Sequence, residues 1–169
     1  MALIQTVLQS KPIYYIPSIR EAGIAYPQSI PENAVSVFTV SWVLNWNNYT
    51  PVTVDDMYTR AQRFMSPRFL SKIQTQLKNE IAQVKNNNMS SLFSIQGDPI
   101  LTKDNKFYKV SITGEKAVFM GKESMSTENI TYQIILKKVN PTDLNPYGLM
   151  IDDIDKDINR NQSWWNYAC

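Results

Sequence analysis

Hydrophobic and polar positions follow two different periods along this chain, and the change falls near Asn88. Before it, apolar residues recur every three or four positions, which lines one face of a helix; after it they alternate, as in a strand buried on one side. Val35, Phe38, Trp42 and Trp46 make the first stripe, and Ser29-Ile30-Pro31-Glu32 ahead of them has capping-box spacing with proline in the first turn. A helix over 31–47 is expected, although its β-branched content (Val35, Val37, Thr39, Val40, Val43) argues for strand; length and cap decide. Thr53 then offers a second N-cap, with Asp55 and Asp56 in the first turn, where the helix dipole favours negative charge. Met57, Tyr58, Ala61, Phe64 and Met65 give that helix its inner face. Ser66-Pro67 opens a third helix that keeps Phe69, Leu70, Ile73, Leu77, Ile81 and Val84 on one side and ends in Asn86-Asn87-Asn88.

Beyond Asn88 the alternation predicts four strands. The first, over 90–101, is disturbed by Asp98-Pro99, since proline cannot donate to a ladder. The second, over 106–119, sets Tyr108, Val110 and Ile112 against Phe107, Lys109 and Ser111, with Gly114 as a candidate bulge. The third, over 128–139, sets Tyr132, Ile134 and Leu136 against Thr131, Gln133 and Ile135. The fourth, over 148–154, leaves a turn at Asn145-Pro146-Tyr147-Gly148, where proline fixes one backbone angle and glycine opens conformations closed to other residues. The fold class is therefore α+β: N-terminal helices packed against a curved four-stranded antiparallel sheet, with the sheet wrapping the long third helix. That plan is the nuclear-transport-factor-two-like architecture. Residues 1–28, with prolines at 12, 17 and 27, read as an extended arm, 29–158 as the domain and 159–169 as an aromatic tail.

Composition narrows the chemistry. The 169 residues contain no histidine, which removes Ser-His-Asp and Cys-His constellations, the usual zinc ligands and the side chain best suited to proton transfer near neutral pH. Net charge is only +2, so no nucleic-acid surface is expected, and the single cysteine, Cys169, permits no internal disulfide. The longest apolar-leaning run, 34–46, is too short to span a bilayer. Carboxylates at 153, 155 and 157 suggest a calcium loop, but Ile158 stands where glycine is needed and Trp164 where glutamate is, so no metal or cofactor is expected. Five unclustered glycines exclude a phosphate-binding loop. Lysines at 103, 106, 109, 116, 122, 137 and 138 read as solvated charges that protect strand edges. Two readings stay open: a non-catalytic contact module, and a small-molecule binder or isomerase using a pocket between sheet and helices, with Asp55, Asp56 or Asp98 as candidate acids. Trp164 and Trp165 in the tail either fold back or anchor a partner.

The order of these elements, with Asn48-Tyr49-Thr50-Pro51, Ser66-Pro67-Arg68-Phe69 and above all Asn145-Pro146-Tyr147-Gly148 before Leu149-Met150-Ile151, resembles the TraE-like and VirB-eight-like inner-membrane assembly factors of type IV secretion and conjugation systems. The resemblance covers roughly 29–157. It implies a periplasmic, non-enzymatic scaffold that binds other secretion components, self-associates, and is tethered to the inner membrane by a span not found in these residues. It also implies a role in self-association for Asn145, Pro146, Tyr147 and Gly148.

Overall fold

Three helices come first and an antiparallel sheet follows, in the computed structural model, which describes residues 30–104 and 106–159. The helices are α1 (Glu32–Asn47), α2 (Val54–Gln62) and α3 (Pro67–Asn86), and the strands are β1 (Met89–Ile95), β2 (Ile100–Lys103), β3 (Phe107–Met120), β4 (Glu123–Lys138) and β5 (Leu149–Asn159). The sheet runs β1-β3-β4-β5, with β2 lying along the same edge of β3 as β1. Five strands thus replace the four expected. The segment expected over 90–101 is broken at Gln96-Gly97-Asp98-Pro99, whose four residues pass only two of β3, and pairing resumes at Ile100 opposite Ser111.

Capping was only partly as expected. Ser66 caps α3, its hydroxyl accepting from the Phe69 N–H at 3.2 Å. At α2 the Thr53 hydroxyl turns away from the helix and accepts from the Thr50 N–H at 2.9 Å. The N-cap of α1 is Pro31 without a side-chain cap, and Ser29 lies outside the described residues, so the capping box is not what starts that helix. The β-branched run of α1 nevertheless is helix, because burial on almost every side outweighs a propensity difference of a few tenths of a kcal/mol per residue.

That burial also relocates the centre of the fold. Val35, Phe38, Trp42 and Val43 of α1 are buried against Phe93, Tyr108, Val110, Ile112, Ile130 and Ile134 of the sheet, whereas α3 buries only Phe69, Leu77 and Val84 fully. α1 is the principal core helix; α3 is amphipathic and keeps one face in water. Gly114 is not a bulge. It pairs in register with Ile95 and Ile130, and a Cβ there would lie 2.4 Å from the Phe93 ring, so the missing side chain makes room for Phe93. The bulges fall at Val118/Phe119 and at Ile135/Leu136, the second placing Asp152 as an extra residue in β5.

Candidate functional site

The turn before β5 is built from its own hydrogen bonds. Asn145 is buried; its backbone N–H donates to the Thr142 carbonyl at 3.0 Å and its side-chain amide to the Leu149 carbonyl at 2.8 Å. The Gly148 N–H donates to the Asn145 carbonyl at 3.2 Å, and the Val139 N–H to the Gly148 carbonyl at 2.9 Å. Gly148 has φ +61°, and an added Cβ would stand 2.9 Å from the Val139 carbonyl oxygen. Tyr147 packs on Phe38 with ring centroids 5.1 Å apart, closing one wall of a groove of about 170 Å³ shared with Trp42 and Phe64. Asn145, Tyr147 and Gly148 are thus occupied with folding, and Pro146 is half-buried among them. What the turn turns outward is Leu144, 88% exposed, which the sequence reading did not single out.

A second feature lies between α3 and the sheet. A cleft of about 290 Å³ is walled by Trp46, Phe69, Ile73 and Ile154, with Lys72, Lys116 and Lys156 and one carboxylate, Glu80, among its lining. Lys116 is not a solvated edge charge. It is half-buried in step with Phe93, Tyr108 and Ile112, and its amine donates to the Asn47 side-chain oxygen at 3.2 Å. Tyr132 donates to the same oxygen at 2.7 Å, and Asn47 donates to the Val43 carbonyl, so one buried amide ties α1 to β3 and β4. Burial pushes the Lys116 ammonium down to about 8; Lys156 adds to the fall, while Glu80 and Glu128 oppose it. Trp42, Trp46 and Tyr58 stack at 5.2 and 5.0 Å behind the cleft.

The third feature ties β5 to the start of α3. Arg68 donates to the Asp152 carbonyl at 2.8 Å and to its carboxylate at 2.9 Å, and Lys137 stands 3.4 Å from the other carboxylate oxygen. Burial alone would raise the Asp152 carboxyl; the Ser66 hydroxyl, Arg68 and Lys137 together outweigh it and hold the group below its usual value. Lys137, expected as an edge charge, lies on the interior strand β4 between β3 and β5 and serves as a structural partner of Asp152.

The candidate acids do not assemble. Asp55 pairs with Lys85, Asp56 pairs with Arg60 at 2.8 Å, and Asp98 is exposed in the β1–β2 break; none lines the cleft. Asp153, Asp155 and Asp157 lie on strand β5 rather than in a loop, and no group of acids among the described residues is arranged for a metal. The arm at 1–28 and Trp164 and Trp165 lie outside the described residues. No described helix is long and apolar enough to cross a membrane.

Helices on one face of a bulged antiparallel sheet define a fold that solved structures share. The periplasmic domain of DotI has a TM-score of 0.66 at 14% identity over 78% of this chain and 98% of that one. CagV, a VirB8 homologue from the type IV secretion system of Helicobacter pylori strain 26695, has a TM-score of 0.60 at 13% identity over 76% and 100%. A TraE protein solved with 2-chloroisonicotinic acid has a TM-score of 0.64 at 14% identity over 78% and 99%. These likenesses are of fold, the nuclear-transport-factor-two-like one. A family model described as TraE protein matches residues 6–140, and the chain belongs to that family. It is accordingly a type IV secretion component of the TraE and VirB8 kind. No curated protein matches the chain. The family match stops short of the turn at 145–148, so the role of that turn is a separate question.

Proposed function

We propose that this chain is a non-enzymatic scaffold of a type IV secretion channel that acts in the periplasm by contacts with other secretion components and with its own copies. Tethering to the inner membrane through a preceding span, and the absence of direct nucleic-acid contact, belong to the same reading. One observation carries it: a turn held in shape by its own backbone hydrogen bonds and by the Asn145 side-chain amide presents a large aliphatic side chain, Leu144, almost wholly to water. Burying such a side chain stabilises an interface by about 1.5–3 kcal/mol. The motif Asn145-Pro146-Tyr147-Gly148 then serves self-association by presentation, not by touching the partner with every residue.

The test follows from that division of labour. Leu144→Asp is expected to leave the monomer folded, with its melting temperature within about a degree or two, because exposed substitutions cost under about 0.5 kcal/mol. It is expected to weaken self-association at least about tenfold in sedimentation equilibrium, equivalent to about 1.4 kcal/mol. Unchanged self-association in that variant would count against the turn, and a wild-type chain that stays monomeric at all accessible concentrations would count against self-association itself.

The alternative, a small-molecule binder, draws support from the cleft beside α3, where an amine faces apolar and aromatic walls. A relative of the same fold has been solved with an aromatic carboxylic acid. Isomerase-like acid–base work is weakly supported, because Glu80 is the one carboxylate in the cleft lining and the acids expected from the sequence lie elsewhere.

A further inference from the structure

The cleft between α3 and the sheet places one primary amine in surroundings unlike those of the chain's exposed lysines. Lys116 reaches it from the middle of β3, with its amine held by the Asn47 side-chain oxygen at 3.2 Å. Tyr49 lies behind it, with the amine 5.7 Å from the ring centroid, and Tyr132, Trp46 and Phe69 form apolar walls. Two further ammonium groups, Lys72 from α3 and Lys156 from β5, line the same space. The charged and titratable groups around the amine are therefore Lys72 and Glu80 on α3, Glu128 opposite it on β4, Lys156 on β5, Asp153 on β5, whose carboxylate accepts from Lys72 at 3.2 Å and which an incoming anion must displace or share, and the phenols of Tyr49 and Tyr132.

We propose that Lys116 is a covalent modification site, an amine nucleophile that captures small aldehydes carrying an anionic group. The neutral amine adds its lone pair to the carbonyl carbon, forming a C–N bond, and the carbonyl oxygen takes a proton from water. Loss of that oxygen as water leaves an imine, so amine plus aldehyde gives imine plus water with no oxidant or reductant consumed. The anionic group is held by the Lys72 and Lys156 ammoniums, and the carbonyl-bearing ring lies against Trp46 and Phe69. Desolvation supplies the reactive form. With its ammonium near 8, about a tenth of Lys116 is neutral at pH 7, against less than about a thousandth for a lysine at its ordinary value. The lower basicity makes the amine a weaker nucleophile, which returns part of that advantage and leaves a net gain on the order of tenfold. This inference does not depend on the scaffold reading, since self-association and amine reactivity are measured separately.

Pyridoxal 5′-phosphate is a suitable probe, being a ring aldehyde with a phosphate. The intact chain is exposed to it at substoichiometric ratio, the imine is fixed with borohydride, and peptides are mapped by mass. Lys122, exposed in the β3–β4 hairpin, serves as internal reference within the same sample. Lys116 is expected to be labelled at least about tenfold faster than Lys122 at pH 7, with a rate that levels off above about pH 8. Replacing Lys72 and Lys156 together by Gln is expected to slow labelling by the phosphate-bearing aldehyde and not by uncharged benzaldehyde. Labelling of Lys116 no faster than Lys122, or a Lys116 rate that keeps climbing well above about pH 8, overturns the proposal. An equal loss of both aldehydes in the Lys72/Lys156 variant overturns the anion-holding part of it.

Discussion

Single residues carry more of this fold than their surroundings suggest, and Gly148 and Lys116 show it from opposite directions. Gly148 sits at φ +61° with a backbone oxygen where a Cβ would go, so alanine costs about 1–3 kcal/mol from the backbone conformation alone. Gly148→Val is expected to lower the melting temperature strongly, by more than Gly148→Ala. A loss of self-association in either variant then reports folding before contact, which is why Leu144 is the cleaner probe. Lys116 is the reverse case, a side chain whose charge the fold tolerates at a cost. Its native value near 8 lies below the 10.5 of an unperturbed lysine, so between those values the unfolded chain binds more protons and stability rises with pH. Lys116→Met is expected to be more stable than the wild type by about 1–2 kcal/mol below pH 8, after allowance for solvent screening, with the gap closing towards pH 10.5. Urea denaturation of both chains across that range checks it, and a gap independent of pH would show that packing, not charge, is responsible.

Elements meet where local pattern gives no warning. The first residues of β5 are held by the α2–α3 link, with the Ile151 N–H donating to the Phe64 carbonyl at 2.7 Å and the Ser66 N–H to the Ile151 carbonyl at 2.8 Å. The bulge at Asp152 then turns its carboxylate inward to Arg68 and Lys137. Because that carboxyl is held below its usual value, its contribution is present above about pH 4 and is lost as pH falls through the native value. Asp152→Asn is expected to destabilise the chain by about 1–3 kcal/mol at pH 7, the range for breaking hydrogen bonds to a charged group, and to flatten the acid limb of the stability profile. Thermal melts from pH 7 down to pH 2.5 check both. Helix starts and strand periods were legible because they are local: Ser66-Pro67 caps α3 by itself, and alternation alone orients Tyr108, Val110 and Ile112. The inward position of Lys116 was legible too, being in step with those three, but lysine's usual preference for water hid it. Asp152 was not legible, since a bulge resets the alternation and depends on which strand lies beside it. Nor was the precedence of α1 over α3, because the stripe of Val35, Phe38, Trp42 and Trp46 looks like that of any amphipathic helix and does not show that Ala34, Thr39, Val43 and Asn47 are buried as well.

At the scale of the whole molecule, the polar interior is dominated by phenols, and this fixes its alkaline limit. Tyr49, Tyr58 and Tyr132 are buried, and burial raises all three above the ordinary tyrosine value, with Glu80 adding to the rise. For Tyr132 the hydrogen bond to Asn47 works the other way without cancelling burial. A raised native value means the folded chain holds its phenolic protons after the unfolded chain has begun to lose them, so stability is intact below about pH 10 and falls as pH rises beyond it. These rings occupy the junction of α1, α2 and the sheet: Tyr58 stacks on Trp46, Tyr49 meets Tyr58 edge-on at 5.6 Å, and Tyr132 meets Phe93 at 5.4 Å. Ionising Tyr132 therefore requires opening the core that the sheet and α1 share, and ionising Tyr49 or Tyr58 requires opening the second cluster they form with Val54, Leu77 and Val84, so their titration reports unfolding rather than local exposure. Tyrosinate absorbance is expected to rise in two stages above pH 10, a gradual one from accessible phenols and a steep one coincident with loss of far-ultraviolet helix signal. A smooth single titration with the helix signal intact would show that these phenols reach water without unfolding, and would remove the argument that α1 and the sheet open as one unit.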